Sequence, residues 1–303
     1  MRFAAIVNTS AGTTSRIGKG RLRAILNAAL DPQLSTLKFV SGRSLCTACE
    51  DAIAAKPDAL LILGGDGTCR SAAAQAVEKN VPIVLLPGGT MNVLPKRIWG
   101  ERTLERVLEH VAKGDVRDGT LDMGTANGTP FFVAATFGLI PVLARVRERW
   151  RKAGGLREHV RTAASVPRLS GRIFKPSVRF AHAERDAARA AALVVSVGDA
   201  DRLLPWGSAD DDVRRFECVS LDAEGWIDLV RVAWRAATVG DWREDARIGD
   251  FAATEISAHS GRRTWVTLDG EPHAMSGPVI LRYRRDALRI LAPHPKQAQD
   301  IAA

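Results

Sequence analysis

Apolar and polar positions follow two patterns along the first 125 residues: short unbroken apolar runs, and longer stretches with a helical repeat. Residues 2–7, 37–40, 59–63 and 81–86 are runs of strand length, the pattern of strands buried on both faces. Between them, Leu22, Ile25, Leu26, Ala29 and Leu30 share one helix face, and Asp31-Pro32 stops that helix. Further helices are predicted around 46–55, from near Thr68 through Val77, and over 103–113, where Leu104, Val107, Leu108 and Val111 face inward. Buried strands alternating with helices predict an α/β domain with a doubly wound parallel sheet.

Beyond Asp122 the rhythm changes. Segments 131–133, 177–180, 192–197, 216–220, 227–232, 254–257, 264–268 and 279–283 read as strands, most of them separated by turn residues. Few long helices intervene, apart from a basic helical stretch at 141–169. The prediction is a C-terminal antiparallel β-sandwich. The expected organisation is one domain over 1–125 and a β-rich one over 126–303, with the last segment of the chain available to pack back on the first domain. No internal repeat or low-complexity segment is visible.

Composition sharpens this picture in three places. At 303 residues and 46% hydrophobic, the chain suits two folded domains with proper cores. No uncharged apolar stretch approaches membrane-spanning length, and the N-terminal run is too short for a signal peptide, so a cytoplasmic protein is expected. Four cysteines are too few for a disulfide scaffold; Cys46 and Cys49 form a C-x-x-C inside a helix and read as buried small side chains.

The net charge of +9 suits anionic partners. Between Arg145 and Arg179 eleven Arg or Lys face two Glu, which equals the excess of the whole chain. Most such runs are solvated helix faces. This one also carries Trp150, Leu156, Val160 and Leu169, so peripheral contact of 145–179 with an anionic membrane is a second reading. Nucleic acid is not an expected partner, since aromatic residues are sparse and no binding module appears. The sequence leaves room for a homo-oligomer.

The chemistry lies in three loops, each following an apolar run. Gly64-Gly65-Asp66-Gly67-Thr68 joins a predicted strand to a helix, at the strand end where open α/β sheets bind ligands. Its glycines let main chain approach phosphate oxygens, and the following helix start offers unpaired N–H groups. Thr68 can cap that helix or bond a phosphate. Asp66 repels phosphate unless it holds Mg²⁺ or takes a proton from an attacking hydroxyl. Asn8-Thr9-Ser10-Ala11-Gly12 and Pro87-Gly88-Gly89-Thr90-Met91-Asn92 supply neutral Thr and Asn groups for phosphate, ribose or base edges. All three loops are expected to converge on one edge of the sheet. Neither a Walker-type G-x-x-x-x-G-K-[ST] nor a G-x-G-x-x-G is present.

In this order the motifs resemble those of the bacterial diacylglycerol kinase-like lipid kinases, relatives of sphingosine and ceramide kinases. Asn8 to Gly12 is similar to the family's Asn-Pro-x-x-Gly, with Thr9 replacing proline. Gly-Gly-Asp-Gly-Thr is intact, and Pro87, Gly89, Thr90 and Asn92 fit Pro-x-Gly-Thr-x-Asn. Asp122-Met123-Gly124, Phe137-Gly138 and Asp269-Gly270-Glu271 follow in the family's order. Asp-Gly-Glu by itself would read as a hairpin turn. The resemblance implies ATP and Mg²⁺ as cofactors and a lipid alcohol, such as diacylglycerol, as substrate. It places nucleotide contacts at Asn8 to Gly12, Gly64 to Thr68, Gly89, Thr90 and Asn92. It makes Glu271 the proton acceptor, sets Asp66 and Asp122 near metal and phosphates, and puts the lipid headgroup in a cleft between the domains. Asp269 and Glu271 are expected on opposite faces of a strand.

The chain also departs from the family. Arg70 and Ser71 replace Asn-Glu, and Arg70 offers a further phosphate contact. Val93-Leu94-Pro95-Lys96 replaces Asp-Phe-Ala-Arg, and Pro95 is expected to delay the helix there. The family's structural Mg²⁺ segment corresponds to Ala223-Glu224-Gly225, so no metal ligand is assigned. Its glycine-rich segment is not recognisable in 199–206. An NAD kinase-like enzyme and a non-catalytic nucleotide-binding regulator are the competing expectations.

Overall fold

A computed structural model of the chain describes residues 1–141, 178–183, 185–198, 215–223 and 246–294. Two compact units result: Met1–Asp122 with the chain from Arg285 onward, and Met123–Arg284.

The first unit is built on parallel strands. β1 (Phe3–Asn8), β2 (Leu34–Val40), β3 (Ala59–Gly64) and β4 (Ile83–Pro87) lie in the order β2-β1-β3-β4. Val7 stands beside Leu63, and Leu63 beside Leu86, so the carboxyl ends of β1, β3 and β4 are level. All six positions of β1 and of β3 are buried, which demands cover on both faces. Six helices accompany the strands: α1 (Gly12–Ile17), α2 (Lys19–Leu30), α3 (Leu45–Ala54), α4 (Asp66–Lys79), α5 (Val93–Trp99) and α6 (Leu104–Ala112). Phe3, Ala5 and Val7 join one core with Leu22, Leu26 and Leu30 of α2 and Val107, Leu108 and Val111 of α6. The alternate residues Ala4 and Ile6 are equally buried, and α3 packs on β1 and on α4. The doubly wound α/β reading holds.

In the second unit, β7 (Ala134–Gly138), β10 (Ala192–Val197), β11 (Phe216–Leu221), β12 (Ile248–Ala253), β14 (Arg263–Leu268) and β15 (Glu271–Ser276) form an antiparallel sheet ordered β12-β11-β10-β7-β14-β15. β8 (Val178–His182), β9 (Arg185–Ala190), β13 (Glu255–His259) and the start of β16 (Val279–Pro293) pair antiparallel as β16-β13-β8-β9. One core joins Phe137, Leu193, Val195, Phe216 and Val266 from the first group to Val178, Phe180, Ile256 and Leu281 from the second. Phe131, at the end of β6 (Thr129–Phe131), stacks on Phe216 with ring centroids 5.8 Å apart. This is the antiparallel sandwich.

Several expectations need correction. β5 (Val116–Ala126), β9, β12 and β15 were not anticipated, because their charged or small residues break the apolar alternation. The run expected at 131–133 ends as a strand at Phe131, and a new strand begins at Ala134. β16 continues to Pro293 through exposed Arg282, Arg284, Arg285 and Asp286; its Ile290 pairs parallel with Ile83 of β4. The strand at 227–232, nearly all of the basic stretch 145–179, most of 223–225 and all of 199–206 lie outside the described residues. Among the described residues, no helix is long and apolar enough to cross a membrane.

Helix α5 begins at Val93 without delay, contrary to the reading of Pro95. Pro95 falls in the first turn, where an N–H has no intrahelical partner, so its missing donor breaks no ladder bond.

Cys46 is exposed, against expectation, whereas Cys49, Cys69 and Cys218 are buried and all four are free thiols. Burial, with the nearby Cys46 and Glu50 charges, pushes the Cys49 thiol up to about 12. Near neutral pH a thiol reagent should therefore label one cysteine quickly in the native protein and all four after denaturation. Fast labelling of two or more native thiols would contradict the placement of α3, α4 or the strand at 216–221.

Candidate functional site

The three loops meet at the carboxyl edge of the first unit's sheet. β1 ends at Asn8, β3 at Gly64 and β4 at Pro87, and each strand opens directly into its loop. Main chain meets main chain between the second and third loops. A Cβ on Gly89 would stand 2.7 Å from Cα of Gly65, and one on Gly88 would stand 2.8 Å from the amide nitrogen of Gly64. Only glycine permits that approach.

Side chains then fasten the loops. Asn8 donates from Nδ2 to Oγ1 of Thr68 at 2.7 Å, a buried bond across 60 positions of sequence. Its Oδ1 accepts the amide of Ser10 at 3.0 Å, which turns the first loop back on itself. Thr13 Oγ1 donates to the carbonyl of Gly89 at 2.9 Å, and Thr14 Oγ1 donates to the carbonyl of Ala11 at 2.9 Å. Asn92 closes the third loop with Oδ1 accepting from the Gly89 amide at 2.7 Å and Nδ2 donating to its carbonyl at 3.1 Å. Asp66 accepts the amides of Asn92 and Val93 at 3.2 and 2.6 Å. Position 9 gains a bond from its departure from proline: the Thr9 amide donates to Val40 of β2 at 3.0 Å.

Seen as donors, these loops suit a polyanion. No side chain caps the start of α4, which begins at Asp66 with Gly65 before it. Its first N–H groups thus lack an intrahelical or capping partner. Thr68 Oγ1 accepts from Asn8 and keeps its own proton to donate. Beside the loops lies a cavity of about 450 Å³, lined by Thr13, Thr14, Gly88, Thr90, Asn92 and Lys96 among others. Its volume falls in the small-molecule range of roughly 300–1,000 Å³. It adjoins the third loop without touching residues 64–68, so the cavity and the glycine-lined edge are neighbours with a shared wall.

The remaining expected site residues lie on other elements. Asp122, in β5, accepts the amide of Asp286 at 2.7 Å, a bond within the first unit. Glu271 opens β15 in the second unit and is exposed. Asp269 is not on a strand face, which corrects that expectation. With φ of 50° for Asp269 and 81° for Gly270, the pair forms the two-residue turn of the β14–β15 hairpin. Its carboxylate accepts the amides of Phe132, Val133 and Ala134 at 2.8–3.1 Å. Arg70 lies four residues into α4 and is partly buried. The sequence reading missed Thr13 and Thr14, because α1 is too short to show a helical repeat. Met91, between two expected site residues of the third loop, is 65% exposed.

Comparison with known proteins agrees with these features. Residues 2–126 match the family model of the diacylglycerol kinase catalytic domain, which shows the resemblance over that span. The matched span lies almost wholly within the first unit. A solved structure of a protein provisionally named a diacylglycerol kinase, from Bacillus anthracis strain Sterne, is similar at 18% identity. It covers 98% of both chains with a TM-score of 0.69. A second, a diacylglycerol kinase from the same strain, aligns over 97% of both chains at 17% identity and a TM-score of 0.65. At these identities the likeness establishes the shared two-part fold.

The Asn8–Thr68 bond is the tie most open to test. Thr68→Val keeps shape but leaves the buried Asn8 amide without its acceptor, at a cost of about 1–3 kcal/mol. Urea unfolding should show this as a lower midpoint at unchanged slope; an unchanged midpoint would mean that the bond does not hold the loops together.

Proposed function

We propose that the protein is an ATP-dependent kinase that transfers the γ-phosphoryl group to the hydroxyl of diacylglycerol or a related lipid alcohol. The observation that carries this reading is the convergence of three strand-end loops into one donor-lined edge, within a span that matches the diacylglycerol kinase catalytic domain. Such an edge presents main-chain N–H groups and hydroxyls with close main-chain access, as a chain of phosphates requires. Phosphoryl transfer asks a protein chiefly for positioning and charge neutralisation, with a base near the nucleophile.

In this reading the 8–12, 64–68 and 87–92 loops bind and orient the nucleotide phosphates. The 450 Å³ cavity beside Thr90 and Asn92 gives room for small-molecule contact along the same edge. Glu271 accepts the proton of the lipid hydroxyl, and Asp122 stands near the phosphates. Mg²⁺ is commonly held by one or two carboxylates together with substrate phosphates. Among the described residues no group of three His, Cys, Asp or Glu side chains gathers. When bound, the cation would offset the negative charge of the β- and γ-phosphates.

The test is transfer of labelled γ-phosphate in mixed micelles with Mg²⁺. The label should enter a chloroform-extractable product, and Glu271→Gln should lower turnover by at least about 100-fold, the scale of general base catalysis, with ATP affinity little changed. Transfer to NAD with none to any lipid would overturn the lipid kinase reading. Unchanged turnover in the Gln variant would remove Glu271 from its role.

A further inference from the structure

Asp66 is the acidic member of the 64–68 loop, and the family resemblance sets it beside metal and phosphates. Its surroundings assign it other work. One carboxylate oxygen accepts the amide of Val93 at 2.6 Å, and the other accepts the amide of Asn92 at 3.2 Å. These amides open α5, where Pro95 brings no N–H and the side chain of Asn92 makes no cap bond. Asn92 instead turns its carboxamide on Gly89. The free donors at this helix start are thus the amides of residues 92, 93 and 94, and Asp66 takes two of the three.

We infer that Asp66 is a positioning residue: its carboxylate caps α5, locks the 87–92 loop against the 64–68 loop, and does not serve as a metal ligand or proton acceptor. Two main-chain N–H groups direct their hydrogens at its two oxygens, so each oxygen has a lone pair committed to the start of α5. Asp66 also stands in the first turn of α4, so it faces the positive end of that helix as well. At the start of α5 this chain has Val93 where the resembling family has an aspartate, so no second carboxylate competes for these amides. The connection matters because the two loops are in main-chain contact at Gly65 and Gly89. A displacement of about 1 Å between groups that orient a reacting phosphate can cost on the order of 100-fold in rate.

The consequence for catalysis rests on the kinase reading, but the cap itself can be tested without it. Hydrogen exchange on the free wild-type protein should show protected amides at Asn92 and Val93. Rapid exchange at both would overturn the proposal without any variant being made. In Asp66→Ala both amides should lose protection, while Asp66→Asn, which keeps one acceptor oxygen, should lose it in part. ATP affinity should fall about tenfold or more in the Ala variant and less in the Asn variant, scaled to the loss of loop placement. The Mg²⁺ concentration giving half-maximal activity should stay unchanged in both. A several-fold rise in that Mg²⁺ requirement, with ATP affinity in the absence of Mg²⁺ unaltered, would make Asp66 a metal ligand and sink the inference. If wild type binds no ATP, the kinase reading fails, and the exchange data still decide whether Asp66 is a cap.

Discussion

Two glycine loops touching through bare main chain are the constraint on which this site depends. Gly65 and Gly89 approach so closely that a single methyl group between them would collide. The level ends of β3 and β4 bring the loops together, and that level is set by the register of Leu63 beside Leu86 and Gly64 beside Pro87. Each face of β1 and β3 packs on its own layer, and a one-residue slip would exchange the side chains fitted to the two layers. The fold therefore reaches the site through apolar packing alone, and polar groups enter only at the edge. There, Asn8, Thr13 and Asp66 use side chains to bond neighbouring loops, and Asn92 closes its own. They make one rigid edge from three chain segments distant in sequence.

The same motif residues prove to have different physical reasons. Gly124 lies against the ring of Phe131, where a Cβ would overlap it, so this glycine is required by packing. Gly138 has φ of 76°, and a Cβ there would collide with the carbonyl of Ala191, again inside the second unit. Asp269 anchors a bend of the main chain at 132–134 with three hydrogen bonds. A motif shared in order with a family thus mixes residues that pack the second unit with residues of the strand-end loops.

Much of the first unit was legible because its signals are local. A run such as Ala59 to Leu63 admits no surface-strand reading, and the stripe from Leu104 to Val111 has one apolar face. The second unit was harder to read. β9 and β15 carry charged or small residues whose strand form is fixed by partners far along the chain, which periodicity does not register. At the site, convergence of the loops followed from three strand ends, but their fastening did not. The tie of Asp66 to α5 depends on a helix starting at Val93, and Pro95 had argued against that start. The exposure of Cys46 was likewise hidden: i and i+3 share a helix side, yet Cys46 lies exposed with Thr47 in the first turn of α3 while Cys49 is buried.

The central claim is that this edge holds nucleotide phosphates by close main-chain contact. Titration of ATP into wild type and Gly89→Ala, each checked for intact secondary structure, tests it most directly. The account predicts saturable binding to wild type and a loss of at least tenfold in affinity when the added methyl group forces Gly65 and Gly89 apart. Equal ATP affinity in a folded Gly89→Ala protein would contradict it.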